Sequence, residues 1–173
     1  MQTVMTYEDF HGYQNTAFWH ASQQENSMLF MDMGLGKSVV ALSIIDTRFD
    51  QASITGALVI APKRVCENVW RQEAAKWAHT RWLKFSLILG DESKRLRALM
   101  SPANIYLVNY ENLPWLVEQI KGRYLERGAY PPFNMLVLDE ISRMKNTRTR
   151  QGSKRGKALL SILQYFPYRI RLT

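Results

Sequence analysis

Apolar residues along this chain follow two alternating spacings. Short continuous runs of strand length are separated by longer stretches in which apolar residues recur every three or four positions, the spacing of a helix. The runs cover residues 28–31, 57–61, 85–89, 105–108 and 135–138, and the helical stretches cover 13–20, 39–45, 65–78, 91–100 and 158–163. Because such strands and helices alternate through short connections, the pattern predicts an α/β fold with a mainly parallel central sheet flanked by helices.

Length and composition favour one domain. With 173 residues, 46% of them hydrophobic, the chain can bury one α/β core, so we expect a single domain over residues 1–173. No apolar run approaches the roughly 18 residues that span a bilayer, and the first residues lack the pattern of a signal peptide. We therefore expect an intracellular protein that acts without a membrane, and one cysteine, Cys66, excludes an internal disulfide.

Positive charge is concentrated at one end of the chain. The formal net charge is +8, yet residues 143–173 hold nine of the 23 Lys and Arg residues and no Asp or Glu. The rest of the chain is therefore close to neutral. Lysines spread over a surface serve solubility, whereas a local basic block predicts a polyanionic partner at that end.

A glycine-rich segment follows the first apolar run. Gly34 and Gly36 precede a Lys-Ser pair, and helical periodicity begins directly afterwards. Glycines let the backbone curl so that its N–H groups point at phosphate oxygens, and the positive end of the new helix faces the same place. Lys37 would reach the β- and γ-phosphates, and the Ser38 hydroxyl would bind Mg²⁺. The alternative is a tight strand-to-helix turn with a surface lysine.

Two acids follow the apolar run 135–138. In open α/β sheets ligands bind at the carboxyl ends of the strands, which is where Asp139 and Glu140 should lie. Asp139 would hold Mg²⁺, and Glu140 would orient and deprotonate the attacking water. Such a pair could also cap a helix, but a phosphate loop earlier in the same chain favours the catalytic interpretation.

Several motifs together resemble those of one family. The segment 32–38 resembles the first motif of the Swi/Snf-type DNA translocases, a branch of the superfamily two helicases that tolerates a non-glycine where Met31 stands. Residues 136–146 are similar to its Asp-Glu-Ala-His-Arg-(Ile/Leu)-Lys-Asn motif, with Ile141 for alanine and Ser142 for histidine. The segment 169–173 resembles the strand that leads into its Thr-Gly-Thr-Pro motif. The resemblance extends from Tyr13 to the end of the chain.

This resemblance implies a RecA-like P-loop NTPase lobe, the first lobe of a DNA-dependent ATPase or translocase that couples Mg·ATP hydrolysis to movement on duplex DNA or its remodelling. A second RecA-like lobe, in the same full-length chain or in trans, would supply arginines to the transferring phosphate. The compact lobe resembles bacterial or phage members. The implied nucleotide-binding residues are Tyr13, Gln14, Met33, Gly34, Leu35, Gly36, Lys37 and Ser38; those for Mg²⁺ are Ser38 and Asp139, and those for catalysis Lys37, Asp139 and Glu140.

Gln14 and the basic residues have two interpretations each. The Gln14 amide suits the N6/N7 edge of adenine, the family's use of a Tyr-Gln ahead of the loop, but it could equally be a solvated helix residue. For duplex DNA, the resemblance indicates Lys63 and Arg64. The charge pattern instead indicates a loop that is mobile without a ligand and contacts any DNA sequence. Its candidate residues are Arg148, Arg150, Lys154 and Arg155.

Two other classes of function remain open from the sequence. A small-molecule P-loop kinase would use the same phosphate loop, although an arginine-rich lid would be expected in place of the motifs around Gln14 and Glu140. A non-hydrolysing nucleotide- or DNA-binding module is the second alternative. Glu140 separates this module from an ATPase, because a protein that only binds has no need of a base there.

Overall fold

The computed structural model describes residues 4–32, 34–140 and 150–173, with side chains from residue 154 onward in the last range. Helices α1 to α6 span Gly12–Ser22, Lys37–Asp50, Lys63–Lys76, Glu92–Met100, Leu113–Arg123 and Arg150–Ile162. Strands β1 to β6 span Asn26–Leu29, Ala57–Ala61, Phe85–Ile88, Ile105–Asn109, Met135–Leu138 and Tyr168–Leu172. Within these ranges, no helix combines the length and apolarity needed to cross a membrane.

The six strands form one parallel sheet in the order β1-β6-β5-β2-β4-β3. The predicted α/β fold with a parallel sheet is therefore confirmed. Because all strands point the same way, the loops after β1 and β5 open at one edge of the sheet. Only β6 separates these two strands, so their ends lie about two strand spacings apart, roughly 10 Å.

Helices cover both faces of the sheet, which explains the continuous apolar runs. On the first face, α1, α2 and α3 pack over side chains such as Val59 and Leu107. On the second face, α4, α5 and α6 pack over Leu58 and Ile60. Successive residues of β2 point to opposite faces, and both faces are dry, so every residue of that strand is buried.

The predicted helix over residues 65–78 places Val69, Trp70, Ala74 and Trp77 on one apolar side. The structure buries all of these except Val69, which is 41% exposed. Cys66, Trp70 and Ala74 are the buried residues of the helix, at a strict spacing of four. This spacing puts one narrow row against the sheet, so Val69 is turned towards solvent. Burial raises the pKa of the Cys66 thiol to about 12, and its Sγ donates to the Ala61 carbonyl at 3.6 Å.

A polar and aromatic cluster fastens the segment before α1 to the first face. The ring of Tyr7 stacks on His79 at 3.8 Å between centroids, and its hydroxyl donates to Asp46 Oδ2 at 3.4 Å. Trp82 Nε1 donates to the other oxygen of Asp46 at 2.7 Å. Burial raises the pKa of Asp46 and lowers the pKa of His79 to about 4. The cluster joins the segment before α1 to α2, and α1 in turn packs against α2.

Candidate functional site

The loop between β1 and α2 has the backbone of a phosphate cradle. Gly34 and Gly36 have φ angles of +84° and +80°, in the left-handed region that favours glycine. A Cβ at Gly36 would lie only 2.3 Å from Gln14 Nε2, so a larger residue there would displace the amide of Gln14. Leu35 N donates to the Asp32 carbonyl at 3.3 Å and closes the turn. Met33, one of the predicted nucleotide-binding residues, lies outside the described residues.

Helix α2 begins in this loop without a side-chain cap. Its N-cap is Gly36, which has no side chain to accept from the first N–H groups, and its first turn contains no acidic residue. The N–H groups at the start of a helix lack partners inside the helix and carry partial positive charge, so an anion at this point is favourable. Ser38 lies in this first turn, half-buried beside Lys37. The local structure therefore suits phosphate.

Lys37 points into the loop. Its Nζ donates to the Met31 carbonyl at 2.8 Å, so the ammonium group is held by the segment that carries the glycines. A backbone carbonyl is a neutral acceptor, whereas phosphate carries a negative charge that attracts the ammonium in addition to accepting its hydrogen bond. A phosphate in the loop would therefore compete well for this lysine.

The side chain of Gln14 is hydrogen-bonded to the phosphate loop, the segment between β1 and α2. This side chain is only 5% exposed; Nε2 donates to the Leu35 carbonyl at 3.1 Å, and Oε1 accepts from His11 N at 2.9 Å. An amide retains a second hydrogen on its nitrogen and a second lone pair on its oxygen. The solvated-residue alternative is wrong, because Gln14 is buried, and its adenine role stays a prediction.

An open cleft of about 940 Å³ adjoins the loop. Its size is within the range of small-molecule sites. Tyr13 lines it, 44% exposed, whereas the neighbouring Gln14 is turned inward. The cleft lies between one side of α1, the end of β1 and the phosphate loop. Its lining residues are Tyr13, Thr16, Ala17, His20, Met28, Leu29, Phe30, Met31, Asp32, Leu35, Lys37 and Thr173.

Asp139 is a buried acid at the end of β5. It is 5% exposed, and burial raises the pKa of its carboxyl group, a shift that the N–H of Trp70 and the charge of Lys37 oppose. Trp70 Nε1 donates to Asp139 Oδ2 at 3.1 Å. The charge of Lys37 lowers the pKa of Asp139 and so favours its ionised form.

Glu140 has an unusual backbone. Its φ of +53° is in the left-handed region, which is uncommon for a residue other than glycine. The carbonyl of Asp139, just before it, accepts a hydrogen bond from the Tyr110 hydroxyl. Left-handed residues outside glycine cluster at functional sites, where surrounding contacts hold them in place. The backbone of Glu140 therefore supports a functional role for the acid pair.

The residues at this sheet edge fit Mg²⁺ and a nucleotide. Mg²⁺ in such sites takes one or two protein oxygens together with substrate phosphates and water. Ser38 and Asp139 offer a hydroxyl and a carboxylate, and the uncapped start of α2 offers N–H donors to phosphate. Asp139 is buried, with only part of its carboxylate compensated by Trp70, so a cation beside it would offset the cost of its charge.

The predicted DNA-binding residues differ in their position and in how far the structure describes them. Lys63 and Arg64 are exposed at the start of α3, at the same sheet edge as the phosphate loop. Arg148 and the side chain of Arg150 lie outside the described residues. The prediction of a loop is wrong for residues 150–157, because α6 begins at Arg150 and continues through them.

Lys154 and Arg155 of this helix differ in their surroundings. Lys154 is exposed, but Arg155 Nη2 lies 3.7 Å from Glu111 Oε1 with its side chain 28% exposed. Arg155 thus has a protein partner that joins α6 to the segment after β4.

Sequence reasoning missed Trp70 and Tyr110 as partners of the acid. The helical spacing of apolar residues over 65–78 predicts that Trp70 lies in the core, and a buried indole N–H needs an acceptor. The sequence does not indicate which acceptor this is. Likewise, the sequence around Tyr110 does not indicate which group its hydroxyl contacts. Their common contact, Asp139, becomes visible only when the strand order is known.

Solved structures share this fold. The SWI2/SNF2 ATPase core of Sulfolobus solfataricus in complex with dsDNA matches with a TM-score of 0.70 and 25% sequence identity, over 95% of this chain and 32% of that chain. T4 UvsW matches with a TM-score of 0.68 and 15% identity, over 94% of this chain and 29% of that chain, which indicates the fold alone.

Sequence relatives agree with the structural ones. Protein p41 of Acyrthosiphon pisum secondary endosymbiont phage 1 is 35% identical over 152 residues, 87% of this chain and 32% of p41. The transcription regulatory protein SNF2 of Saccharomyces cerevisiae is 29% identical over 128 residues, 72% of this chain and 7% of SNF2. The chain thus spans a third or less of the length of these relatives. The family model of the SNF2-related domain matches residues 13–162, and the chain therefore belongs to the SNF2-related domain family.

Proposed function

We propose that this chain is the first ATP-binding lobe of a Swi/Snf-type DNA-dependent ATPase, which moves on or remodels duplex DNA. The proposal rests on one observation above all. A left-handed glycine loop carrying Lys37 and a buried Asp139 open at the same edge of one parallel sheet, in a chain of the SNF2-related family. Saturable binding of Mg·ATP to the 173-residue chain, measured by calorimetry, tests the proposal directly.

Each residue of the proposed site has its own role in phosphoryl transfer. The N–H groups of the loop and the start of α2 bind the phosphates, and Lys37 neutralises charge on the β- and γ-phosphates. Mg²⁺, held by Ser38 and Asp139, supplies further charge neutralisation when bound. Glu140 orients the attacking water and takes its proton. Arginines of a second RecA-like lobe, in the full-length chain or in trans, complete the site.

The small-molecule kinase and the binding module are less well supported. Membership of the SNF2-related family argues against the kinase. Glu140, an acid directly after the buried Asp139, supports hydrolysis over binding alone, because a protein that only binds has no need of a base there. Similarity to the phage protein p41 supports a protein that acts inside bacterial or phage-infected cells.

Gln14 provides a test of base recognition that separates two roles. If Gln14 reads adenine, Gln14→Ala should lose its preference for ATP over GTP while inorganic pyrophosphate binds as before. If Gln14 only supports the loop through Leu35, affinities for ATP, GTP and pyrophosphate should fall together.

We expect Gln14→Ala to lose its preference for ATP over GTP. We also expect a smaller loss of affinity that is the same for all three ligands. Calorimetric titration of the three ligands measures both effects, and Gln24→Ala, beyond the end of α1, is the matched control. An unchanged preference for ATP would remove the adenine role.

Contacts with duplex DNA should depend on salt. Each phosphate contact contributes a slope of about −0.9 to log affinity against log salt. Two double charge reversals, Lys63→Glu with Arg64→Glu and Lys154→Glu with Lys157→Glu, should each flatten the slope by roughly 1.8 and weaken all sequences equally. Arg155 is left out because its side chain is only 28% exposed and pairs with Glu111, whereas Lys63, which lies 3.9 Å from Glu67, is 64% exposed.

The matched control for these reversals lies at the amino ends of the strands, whereas the phosphate loop lies at their carboxyl ends. Arg81 and Lys84 are exposed just before β3, and reversing both makes the same change of net charge. Fluorescence anisotropy with a labelled duplex at several salt concentrations measures each slope. If the control flattens the slope as much as the other two variants, the effect comes from net charge alone and neither site touches DNA.

A further inference from the structure

The carboxylate of Asp139 is held by a side chain from the core. Trp70 lies on the buried row of α3, with no part of it exposed, and its Nε1 donates to Asp139 Oδ2 at 3.1 Å. A large side chain in a close-packed core has one available rotamer, because any other would clash or leave a void. The N–H of Trp70 is therefore a fixed donor, aimed at one oxygen of the acid.

Two further contacts fix the backbone of the same residue. Asp139 N donates to the Ile60 carbonyl at 2.8 Å, and the Asp139 carbonyl accepts from the Tyr110 hydroxyl. Three separate elements thus hold one acid, namely α3, the end of β2 and the segment after β4. Contacts at the N–H, the carbonyl and the carboxylate together also determine where the carboxylate points.

The other tryptophan pairs show what is particular to Trp70. Trp77, Trp82 and Trp115 also donate to carboxylates, at Glu73, Asp46 and Glu92 respectively. Those pairs are partly buried or exposed, whereas the bond between Trp70 and Asp139 is buried at both ends. An exposed indole can exchange its acceptor for water. A buried one has no such substitute, so its bond to Asp139 is a lasting constraint.

We infer that Trp70 is a positioning residue whose N–H holds the Asp139 carboxylate in the orientation that binds the Mg²⁺ of the nucleotide. The inference rests on the proposed function, which makes Asp139 a Mg²⁺ ligand. Carboxylate ligands are themselves oriented by hydrogen bonds from neighbouring residues, and loss of such a partner typically costs 10–100-fold in metal affinity. Phenylalanine in place of Trp70 would keep an aromatic ring in the core and remove the donor. The ring is smaller, and the matched variant Trp77→Phe measures the effect of that lost volume.

The first experiment observes the hydrogen bond itself. In a ¹⁵N-labelled chain each tryptophan indole gives its own resonance, and Trp70→Phe identifies that of Trp70 by its disappearance. Asp139→Asn should shift this resonance and leave that of Trp77 in place. Addition of MgCl₂ to the ADP-saturated wild-type chain should move it again. If neither Asp139→Asn nor MgCl₂ shifts the Trp70 resonance, the inference is overturned. This test does not require that any variant of Trp70 bind nucleotide.

The second experiment measures the consequence for the metal. ADP affinity is determined by calorimetry with MgCl₂ and with EDTA, and the ratio of the two affinities gives the contribution of the metal. Trp70→Phe should lower this ratio on the order of tenfold and leave the affinity in EDTA unchanged. Trp77→Phe, a matched loss of an indole whose N–H donates to Glu73 instead of Asp139, should keep the wild-type ratio.

The outcomes separate this inference from the proposed function. A wild-type chain with no metal-dependent gain in ADP affinity would contradict the Mg²⁺ role of Asp139, and the inference would fall with it. A wild-type gain that Trp70→Phe retains would overturn the inference alone. Equal loss in Trp70→Phe and Trp77→Phe would likewise overturn it, since the cause would then be a loosened core.

Discussion

Lys37→Ala is expected to bind Mg·ATP on the order of 100-fold more weakly than the wild-type chain. Hydrogen bonds to charged groups contribute about 1.5–3 kcal/mol each, and the upper value corresponds to a factor of that size. The ammonium group already lies in the loop, bonded to the Met31 carbonyl, so binding requires an exchange of acceptor and no large movement. Calorimetric titration with Mg·ATP measures the loss directly.

Two controls keep this prediction specific. Lys84→Ala removes an exposed lysine at the amino ends of the strands, away from the phosphate loop. It should leave the affinity for Mg·ATP unchanged. Thermal unfolding should show a modest effect of Lys37→Ala, because the lost bond joins the ammonium to a neutral acceptor at a partly exposed site and is worth about 1.5 kcal/mol. If Lys37→Ala binds Mg·ATP as well as the wild-type chain, the glycine loop is an ordinary turn and the nucleotide site lies elsewhere.

The fold was predictable where the apolar pattern of a segment matches the burial of that segment in the structure. Strand β2 is apolar throughout and ends at a proline, and the structure buries it on both faces as expected. The exposure of Val69 was not predictable, because Val69 and Trp70 are adjacent apolar residues of α3 and their spacing does not indicate that only Trp70 faces the sheet. Likewise, a stretch of basic residues and glycines looks like a loop. Residues 150–157 are helical because Leu159 and Ile162, further along α6, anchor the same helix in the core.

The site was predictable to the extent that its residues are adjacent in sequence. Gly34, Gly36 and Lys37 form one short motif with one physical explanation, and the structure brings Asp139 to the same edge through the strand order. Trp70 was not predictable as a partner, because its contact crosses from α3 to the end of β5 and depends on tertiary geometry. Gln14 was predicted for its adenine-binding chemistry, whereas the structure adds a contact with the loop that spacing could not indicate.

The 173-residue chain is expected to hydrolyse ATP slowly, with little stimulation by duplex DNA. Arginines acting on the transferring phosphate contribute roughly 10³–10⁵ in rate in related phosphoryl-transfer enzymes, and we assign these arginines to a second lobe. The residues at this sheet edge can bind phosphate, neutralise part of its charge and deprotonate water. They leave the charge that develops on the γ-phosphate only partly compensated, which is why the barrier should stay high.

Release of phosphate with and without duplex DNA measures this prediction, and Glu140→Gln sets the background. The glutamine keeps the size of the side chain and cannot take a proton, so any rate above that of Glu140→Gln belongs to this site rather than to a contaminating ATPase. We expect the wild-type chain to exceed that background by a small factor and DNA to change it little. A rate on the order of 10 s⁻¹, typical of complete enzymes, would show that the chain completes its own site, for instance through a second copy. A sedimentation measurement at the assay concentration would then detect that copy.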